Sequence, residues 1–160
     1  PIIRLLVMGT VRTAGGGCMC PANALLTALL RHILLRAGEA VIMDMEAGLE
    51  HLGRGVVRGF DILLIIVEPG TQSLETAQRI HQLAKGLGVK KMAFVGNKVR
   101  SPKEEDYLAS ALERLGMSLL LSIPYDERVM EADLLGVAPM DLSPLPKAIE
   151  SIRRLKECLA

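Results

Sequence analysis

The sequence is poor in aromatic residues and cysteine, and it carries no strong excess of either charge. Its 160 residues include no Trp, two Tyr, two Phe and three Cys, and the formal net charge is +1. The chain therefore lacks the stacking surface on which single-stranded nucleic acids bind, and it has no basic block to attract polyanions. Three cysteines do not make a secreted disulfide framework, so we expect a reducing, cytoplasmic location. We also expect no nucleic-acid partner.

Long uninterrupted apolar runs are missing as well. The most apolar helix-like segment, 24–35, contains Arg31 and His32 and is shorter than the roughly 20 residues that a membrane-spanning helix needs. We therefore expect no membrane partner. What the chain does have is 50% hydrophobic residues, mostly aliphatic. This amount is enough for one well-buried domain, and we predict a single domain over residues 1–160.

Strand-like and helix-like segments alternate along the chain. The predicted strands are 2–8, 41–43, 62–67, 91–95 and 118–123. The predicted helices are 21–36, 71–87, 102–115, 127–135 and 144–159. The run 62–67 shows no polar alternation, which is typical of a central parallel strand covered on both faces. Together these features predict an α/β fold with a mostly parallel sheet and helices on both faces.

One carboxylate directly follows the predicted strand 41–43. Asp44 stands where that strand ends, and Gly48 comes four residues later. Ligands of parallel sheets gather at the carboxyl ends of the strands. In such a D-x-x-x-G pattern the carboxylate can hold Mg²⁺ through water or orient an attacking water, while the glycine N–H reaches a terminal phosphate. An Asp at this position also serves as a turn former or helix cap, so the residues alone leave both interpretations open.

A polar pair, Asn97 and Lys98, follows the predicted strand 91–95 at the same edge of the sheet. A side-chain amide both donates and accepts, which suits adenine, and the Lys stem can lie on a base. Pro124 and Tyr125 end the next predicted strand and could form a wall beside that base. The alternatives are a turn Asn with a solvated Lys and, for Pro124 and Tyr125, ordinary loop residues.

Two cysteines one residue apart, Cys18 and Cys20, follow three consecutive glycines. One chain cannot complete a four-coordinate sulfur site with two thiolates, but a twofold-related pair of these loops can. Four sulfurs suit Zn²⁺ and also a soft-ligand metal such as nickel. The alternative is a pair of reactive free thiols near a helix start, whereas the spacing favours a metal. Cys158 is expected to be a bystander.

Three motifs stand in a characteristic order: G-C-M-C-P at 17–21, M-D-M-E-A-G with E-H-L-G-R-G over 43–55, and V-G-N-K-V at 95–99. Together they closely resemble those of the carbon monoxide dehydrogenase accessory ATPases, CooC-type nickel-insertion factors within the MinD/ParA-like deviant P-loop ATPases. The resemblance implies an ATP-dependent homodimer in which Cys18 and Cys20 of both chains bind Zn²⁺ or Ni²⁺ at the interface. It also implies carbon monoxide dehydrogenase, or a related nickel enzyme, as the partner that receives nickel.

The resemblance also implies a nucleotide site for ATP or ADP with Mg²⁺. Asp44 and Gly48 match the family's switch, which senses the γ-phosphate and activates water. Asn97 matches the adenine-binding Asn, with Lys98 beside it and Pro124 near the base by position. Asp44 is therefore the candidate catalytic residue, and the other four are candidate cofactor-binding residues.

The glycine-rich phosphate loop of the family, which ends in Gly-Lys-Thr, does not occur in this sequence. The chain begins with Pro1, close to an apolar run, and it resembles the C-terminal two-thirds of the family domain. We expect ATP hydrolysis from the full-length protein and none from this chain alone. Two alternatives are a membrane- or nucleoid-associated positioning ATPase of the same superfamily and a non-catalytic interaction domain.

Overall fold

Three parallel strands form the sheet in the part of the chain that the structure describes. The structure is a computed structural model that describes residues 3–7, 28, 39–45 and 60–159. The strands are β1 (Leu63–Val67), β2 (Met92–Val99) and β3 (Leu119–Pro124), in the order β1-β2-β3. β1 pairs with β2 in parallel, and β2 pairs with β3 in parallel. The predicted parallel sheet is confirmed.

Helices connect and follow these strands. Within residues 60–159, the α-helices are α1 (Thr71–Gly86), α2 (Pro102–Arg114), α3 (Glu127–Leu135) and α4 (Lys147–Leu159). A single 3-10 turn, Pro139–Asp141, lies between α3 and α4. Each parallel pair of strands is joined through one helix, as the alternation predicts, because parallel neighbours need a crossover. The α/β class is therefore confirmed. None of the described helices is long and apolar enough to cross a membrane.

The main core lies between one face of the sheet and the helices α1 and α2. Leu63, Ile65 and Val67 alternate along β1 and are buried together with Phe94 of β2. The helices contribute their apolar stripes, as expected for amphipathic helices on a sheet: Leu74, Ala77 and Ala84 from α1, and Leu108, Ala111 and Leu112 from α2. The core is aliphatic, as the composition predicts.

The prediction that 62–67 is a central strand is wrong for the part of the sheet that the structure describes. β1 is at one end of the strand order, and its burial alternates: Leu63, Ile65 and Val67 are buried, whereas Ile66 is exposed. An alternating pattern of this kind is typical of a strand that is covered on one face only. The apolar run therefore predicts the strand correctly, but not its place at the end of the three described strands.

The predicted strands 2–8 and 41–43 are not strands in the described residues. Residues 3–7 and 39–45 belong to no helix or strand, and Ile3 and Ile42 are exposed. An extended segment forms a β-strand only when a neighbouring strand hydrogen-bonds to its backbone. No described strand pairs with either segment. Met45 nevertheless packs, partly buried, against the main core. The predicted helix 21–36 lies outside the described residues, apart from position 28.

β2 extends four residues beyond its predicted end at Val95. The register of its pairing with β3 shifts twice. Gly96 pairs with Ser122 and Val99 pairs with Pro124, so β2 has one residue more than β3 between these two pairs. One extra residue on one strand is the definition of a β-bulge, which bends and twists the strand locally. Asn97 and Lys98 therefore lie inside an irregular strand and not in a loop after it.

Candidate functional site

The carboxyl ends of the three strands lie at one edge of the sheet because the strands are parallel. Val99 pairs with Pro124, and the N–H of Tyr125 donates to the carbonyl of Val99 at 2.9 Å. The structure thus places Asn97, Lys98 and Pro124 at the same edge, where ligands of parallel sheets gather. Their role in binding a nucleotide remains a prediction.

Lys98 has an unusual backbone conformation and an exposed ion-pair partner. Its φ is +54°, in the left-handed region that non-glycine residues seldom adopt, and it lies in the bulge of β2. Its ammonium group lies 2.8 Å from Oε1 of Glu68, the residue that directly follows β1. Asn97, one residue earlier, is half-buried. The bulge therefore directs Lys98 across the ends of two strands, toward a carboxylate that sequence analysis did not single out.

Ser73 holds the chain segment that carries Glu68. The backbone N–H of Glu68 donates to Ser73 Oγ at 2.9 Å. The N-terminal cap of α1 is Gly70, which has no side chain, so no side-chain hydrogen bond caps this helix. The hydroxyl of Ser73 instead fixes the turn between β1 and α1, and this contact supports the position of Glu68 beside Lys98.

The turn from β2 into α2 is closed by two side chains. Ser101 Oγ accepts from the N–H of Glu104 at 3.3 Å, and Glu104 Oε2 accepts from the N–H of Arg100 at 2.7 Å. The N–H of Glu104 is shared between Ser101 Oγ and the carbonyl of Ser101, and the carboxylate of Glu104 gives the N–H of Arg100, just before the helix cap, an acceptor. The guanidinium carbon of Arg100 then lies 3.9 Å from the centre of the Tyr125 ring, which is a cation–π contact. Tyr125 is thus covered by Arg100.

Asp126 joins the starts of two helices just after β3. It is the N-terminal cap of α3: its Oδ1 accepts from the N–H of Arg128 at 3.0 Å. Its Oδ2 accepts from the N–H of Ala148 in α4 at 3.3 Å. Sequence analysis missed Asp126, although an acid directly before a helical pattern is a signal for a cap. The carboxylate positions α4 next to the end of β3.

A cleft of about 660 Å³ opens between the end of β3, the start of α2 and one side of α4. Ser101, Pro102 and Pro124 line one part of it, and Lys147 and Arg154 line another. Acids also line the cleft, since Glu105 and Glu150 belong to it, so its charge is mixed. Of the predicted site residues that the structure describes, Pro124 is the one that lines this cleft.

Asp44 is exposed, and no hydrogen bond or ion pair links it to another described residue. Gly48, Cys18 and Cys20 lie outside the described residues. Among the residues that are described, no three His, Cys, Asp or Glu side chains group in a way that could hold a metal ion. Mg²⁺ is a hard cation that prefers oxygen ligands, so the exposed carboxylate of Asp44 suits it. The half-buried side-chain amide of Asn97 suits a nucleotide base. The donor types fit a nucleotide with Mg²⁺.

The chain is 46% identical over 142 residues to the carbon monoxide dehydrogenase accessory protein CooC of Rhodospirillum rubrum, covering 89% of this chain and 53% of that protein. The resemblance to the CooC-type accessory proteins is confirmed. The chain is also 46% identical over 151 residues to an uncharacterised ATP-binding protein of Methanocaldococcus jannaschii, covering 94% of this chain and 58% of that protein. It thus spans a little over half the length of these two relatives.

No protein-family model matches the chain. Among solved structures, the MinD cell division protein of Aquifex aeolicus superposes with a TM-score of 0.48 at 20% identity, over 64% of this chain and 46% of that one.

Proposed function

We propose that this chain is part of an ATP-dependent accessory protein that assists nickel insertion into carbon monoxide dehydrogenase. The observation that carries the proposal is the 46% identity to CooC of Rhodospirillum rubrum over 89% of the chain. The similarity to an ATP-binding protein at the same identity supports a nucleotide as cofactor. The metal is cargo in this proposal, and the nucleotide drives its transfer.

The edge of the sheet supports the nucleotide part of the proposal. Asn97 would contact the adenine, and Pro124 would lie beside it, since both are at the carboxyl ends of neighbouring strands. Asp44 would hold Mg²⁺ through water or orient the attacking water, and Gly48 would reach the terminal phosphate. The phosphate-binding loop would come from a part of the protein that this sequence does not contain.

Lys98 has a more limited role in this proposal than a free lysine would have. Its ammonium group is paired with Glu68 at 2.8 Å, so its aliphatic stem, and not its charge, would face a base bound at this edge. The ion pair also keeps a positive charge from standing unpaired beside the base. Glu68 is therefore a positioning residue for Lys98.

The C-x-C pair supports the metal part of the proposal. Cys18 and Cys20 supply two sulfurs, and a second subunit would supply the other two, which completes a tetrahedral site between subunits. Metal binding at such a site is coupled to dimerisation. If hydrolysis of the nucleotide separates the subunits, the metal would therefore be released. Zn²⁺ and Ni²⁺ both suit thiolate ligands.

Maturation of the dehydrogenase tests the proposal. The full-length protein that contains this chain is produced together with a carbon monoxide dehydrogenase in nickel-limited cells, and the nickel content and activity of the enzyme are measured. We expect both to fall when Cys18 and Cys20 are changed to Ser, and to recover when nickel is added in excess. Full nickel loading without the protein would contradict the proposal. Cys158→Ser is the matched control, since this exposed thiol lies at the end of α4.

A further inference from the structure

Two cationic side chains leave the end of β2 in opposite directions. Lys98 reaches toward β1, since its ammonium group lies 2.8 Å from Oε1 of Glu68. Arg100 reaches toward β3, since the carbon at the centre of its guanidinium lies 3.9 Å from the centre of the Tyr125 ring. β2 is the middle one of the three described strands. A base bound at Asn97 would therefore have one of these cationic side chains on each side.

The two cations differ in what they leave free for a ligand. The charge of Lys98 is matched by the carboxylate of Glu68. The guanidinium of Arg100 faces a neutral ring instead, and among the residues that the structure describes no carboxylate forms an ion pair with it. Arg100 is also exposed. Its planar, charged end group is therefore open to a ligand at this edge of the sheet.

Backbone hydrogen bonds hold both partners of this cation–π contact. The N–H of Tyr125 donates to the carbonyl of Val99, directly before Arg100, at 2.9 Å. The N–H of Arg100 donates to Oε2 of Glu104, in the first turn of α2, at 2.7 Å. Arg100 is thus positioned before a ligand binds, and a side chain that is already ordered loses less conformational entropy on binding.

Arg100 also lies beside the space where the proposed base would bind. Arg100 and Pro124 both line the cleft of about 660 Å³. Pro124 is the residue predicted to lie beside the base, and it pairs in the sheet with Val99, directly before Arg100. Pockets for small ligands generally measure about 300–1,000 Å³, so the cleft has room for a base.

We propose that Arg100 is a further nucleotide-binding residue, whose guanidinium packs against the base while the ring of Tyr125 supports it from the other side. Arginine guanidinium planes stack on nucleotide bases, and the positive charge adds a cation–π attraction. Tyr125 is then a positioning residue, and the surface that the base meets is Arg100. This inference rests on the proposed function, because it requires a nucleotide at this edge.

Competition binding to the full-length protein that contains this chain tests the inference. A fluorescent ATP labelled on the ribose is displaced by unlabelled ATP or by inorganic triphosphate, which has no base, both with Mg²⁺. We expect Arg100→Ala to raise the dissociation constant of ATP about tenfold and to change that of inorganic triphosphate less than about twofold, because stacking needs a base. An equal rise for both competitors would show that Arg100 binds phosphate. That result, or no rise for ATP, overturns the proposal.

A conservative change separates stacking from charge. Arg100→Lys keeps the positive charge but lacks the guanidinium plane, so we expect it to bind ATP as weakly as Arg100→Ala does. ATP binding at the wild-type level in Arg100→Lys overturns the stacking role. The matched control is Arg114→Ala, at an exposed arginine at the other end of α2, which should leave the dissociation constant of ATP unchanged.

Changes at Tyr125 test its supporting role. Tyr125→Phe keeps the ring and should bind ATP as the wild type does, whereas Tyr125→Leu removes the ring beneath the guanidinium and should weaken binding about threefold. Equal losses in the two variants would overturn this role. Circular dichroism of each variant shows whether it is folded, so that weaker binding is not mistaken for unfolding.

Failure of this inference can be told from failure of the proposed function. If Asn97→Ala weakens ATP binding and Arg100→Ala does not, the nucleotide site stands and the role of Arg100 is overturned. If the wild-type full-length protein does not bind ATP, the proposed function and the role of Arg100 are both overturned.

Discussion

The Oδ2 atom of Asp126 accepts a hydrogen bond from the backbone N–H of Ala148, 22 residues further along the chain, at 3.3 Å. The other carboxylate oxygen caps α3 through the N–H of Arg128 at 3.0 Å. One side chain therefore ends the turn after β3 and sets the position of the last helix. Because Pro124 ends β3 two residues earlier, the same carboxylate fixes the edge at which the proposed nucleotide site lies.

Replacing Asp126 tests this double contact. We expect Asp126→Ala to lower the free energy of unfolding by about 1–3 kcal/mol, because two helix starts lose an acceptor. Asp126→Asn should cost less, since the amide oxygen still accepts one bond. Urea denaturation measures both, and Asp106→Ala, an exposed acid within α2, is the control. A cost for Asp126→Ala no larger than that of the control would show that the contacts contribute nothing.

Gly96 leaves room for its neighbour on β3. A Cβ at position 96 would lie 2.9 Å from Ser122 Oγ and 3.2 Å from a terminal carbon of Leu108. We expect Gly96→Ala to destabilise the fold by about 1–3 kcal/mol through overpacking. Ser122→Ala should be neutral or stabilising alone, because this buried hydroxyl has no described hydrogen-bond partner.

The two changes should also depend on each other. In the double variant the alanine at position 122 lacks the oxygen that the new Cβ meets, so part of the loss from Gly96→Ala should be recovered. Thermal unfolding of the wild type, both single variants and the double variant gives the interaction energy. Strictly additive changes in the free energy of unfolding would mean that the side chain at position 122 does not restrict the space for a Cβ at position 96.

Lys98 gives a test of the bulge in β2. A φ of +54° costs most residues about 1–2 kcal/mol of conformational free energy, whereas glycine adopts it without that cost. Its exposed ion pair with Glu68 contributes less, about 0–1 kcal/mol. We therefore expect Lys98→Gly to be as stable as the wild type or more stable, and Lys98→Val to be less stable, by urea denaturation. The opposite order would argue against the bulge.

How far the sequence predicts this fold depends on whether the signal is local. The bounds of α3, Glu127–Leu135, are predicted to the residue, because Gly136 ends the helix in the left-handed conformation with φ of +65°. The predicted helix 144–159 in contrast begins only at Lys147. It follows directly after Pro146, whose carbonyl accepts from the N–H groups of Ile149 and Glu150, and a proline disfavours helix at the residue before it. The further acceptor for Ala148, Asp126, is far away in the sequence, and no local pattern reveals it.

Strands depend even more on distant partners. The segment 41–43 has the composition of a strand but no described neighbour, whereas 96–99 continues β2 because β3 pairs with it. The position of Asn97 and Lys98 near Pro124 could be predicted, because parallel strands end at one edge. The bulge and the Glu68–Lys98 pair could not, since both arise from the register between strands.

The proposed roles of Asp44 and Asn97 can be separated by kinetics in the full-length protein. Asn97→Ala should weaken nucleotide binding by about tenfold, because the base loses its hydrogen bonds. Asp44→Asn should lower kcat by about 10²-fold or more while ATP still binds. Fluorescent-nucleotide titration and phosphate release measure the two effects. Equal losses in binding and turnover from both variants would contradict the division of roles.

The most direct test of the proposed function is to measure the number of metal ions bound per chain together with the oligomeric state of the purified chain in solution. Elemental analysis after loading with Zn²⁺ or Ni²⁺ should give one metal ion for two chains, and changing both Cys18 and Cys20 to Ser should abolish it. One metal ion per single chain, or the same content in the double variant, would contradict a metal site shared between subunits through the C-x-C pair.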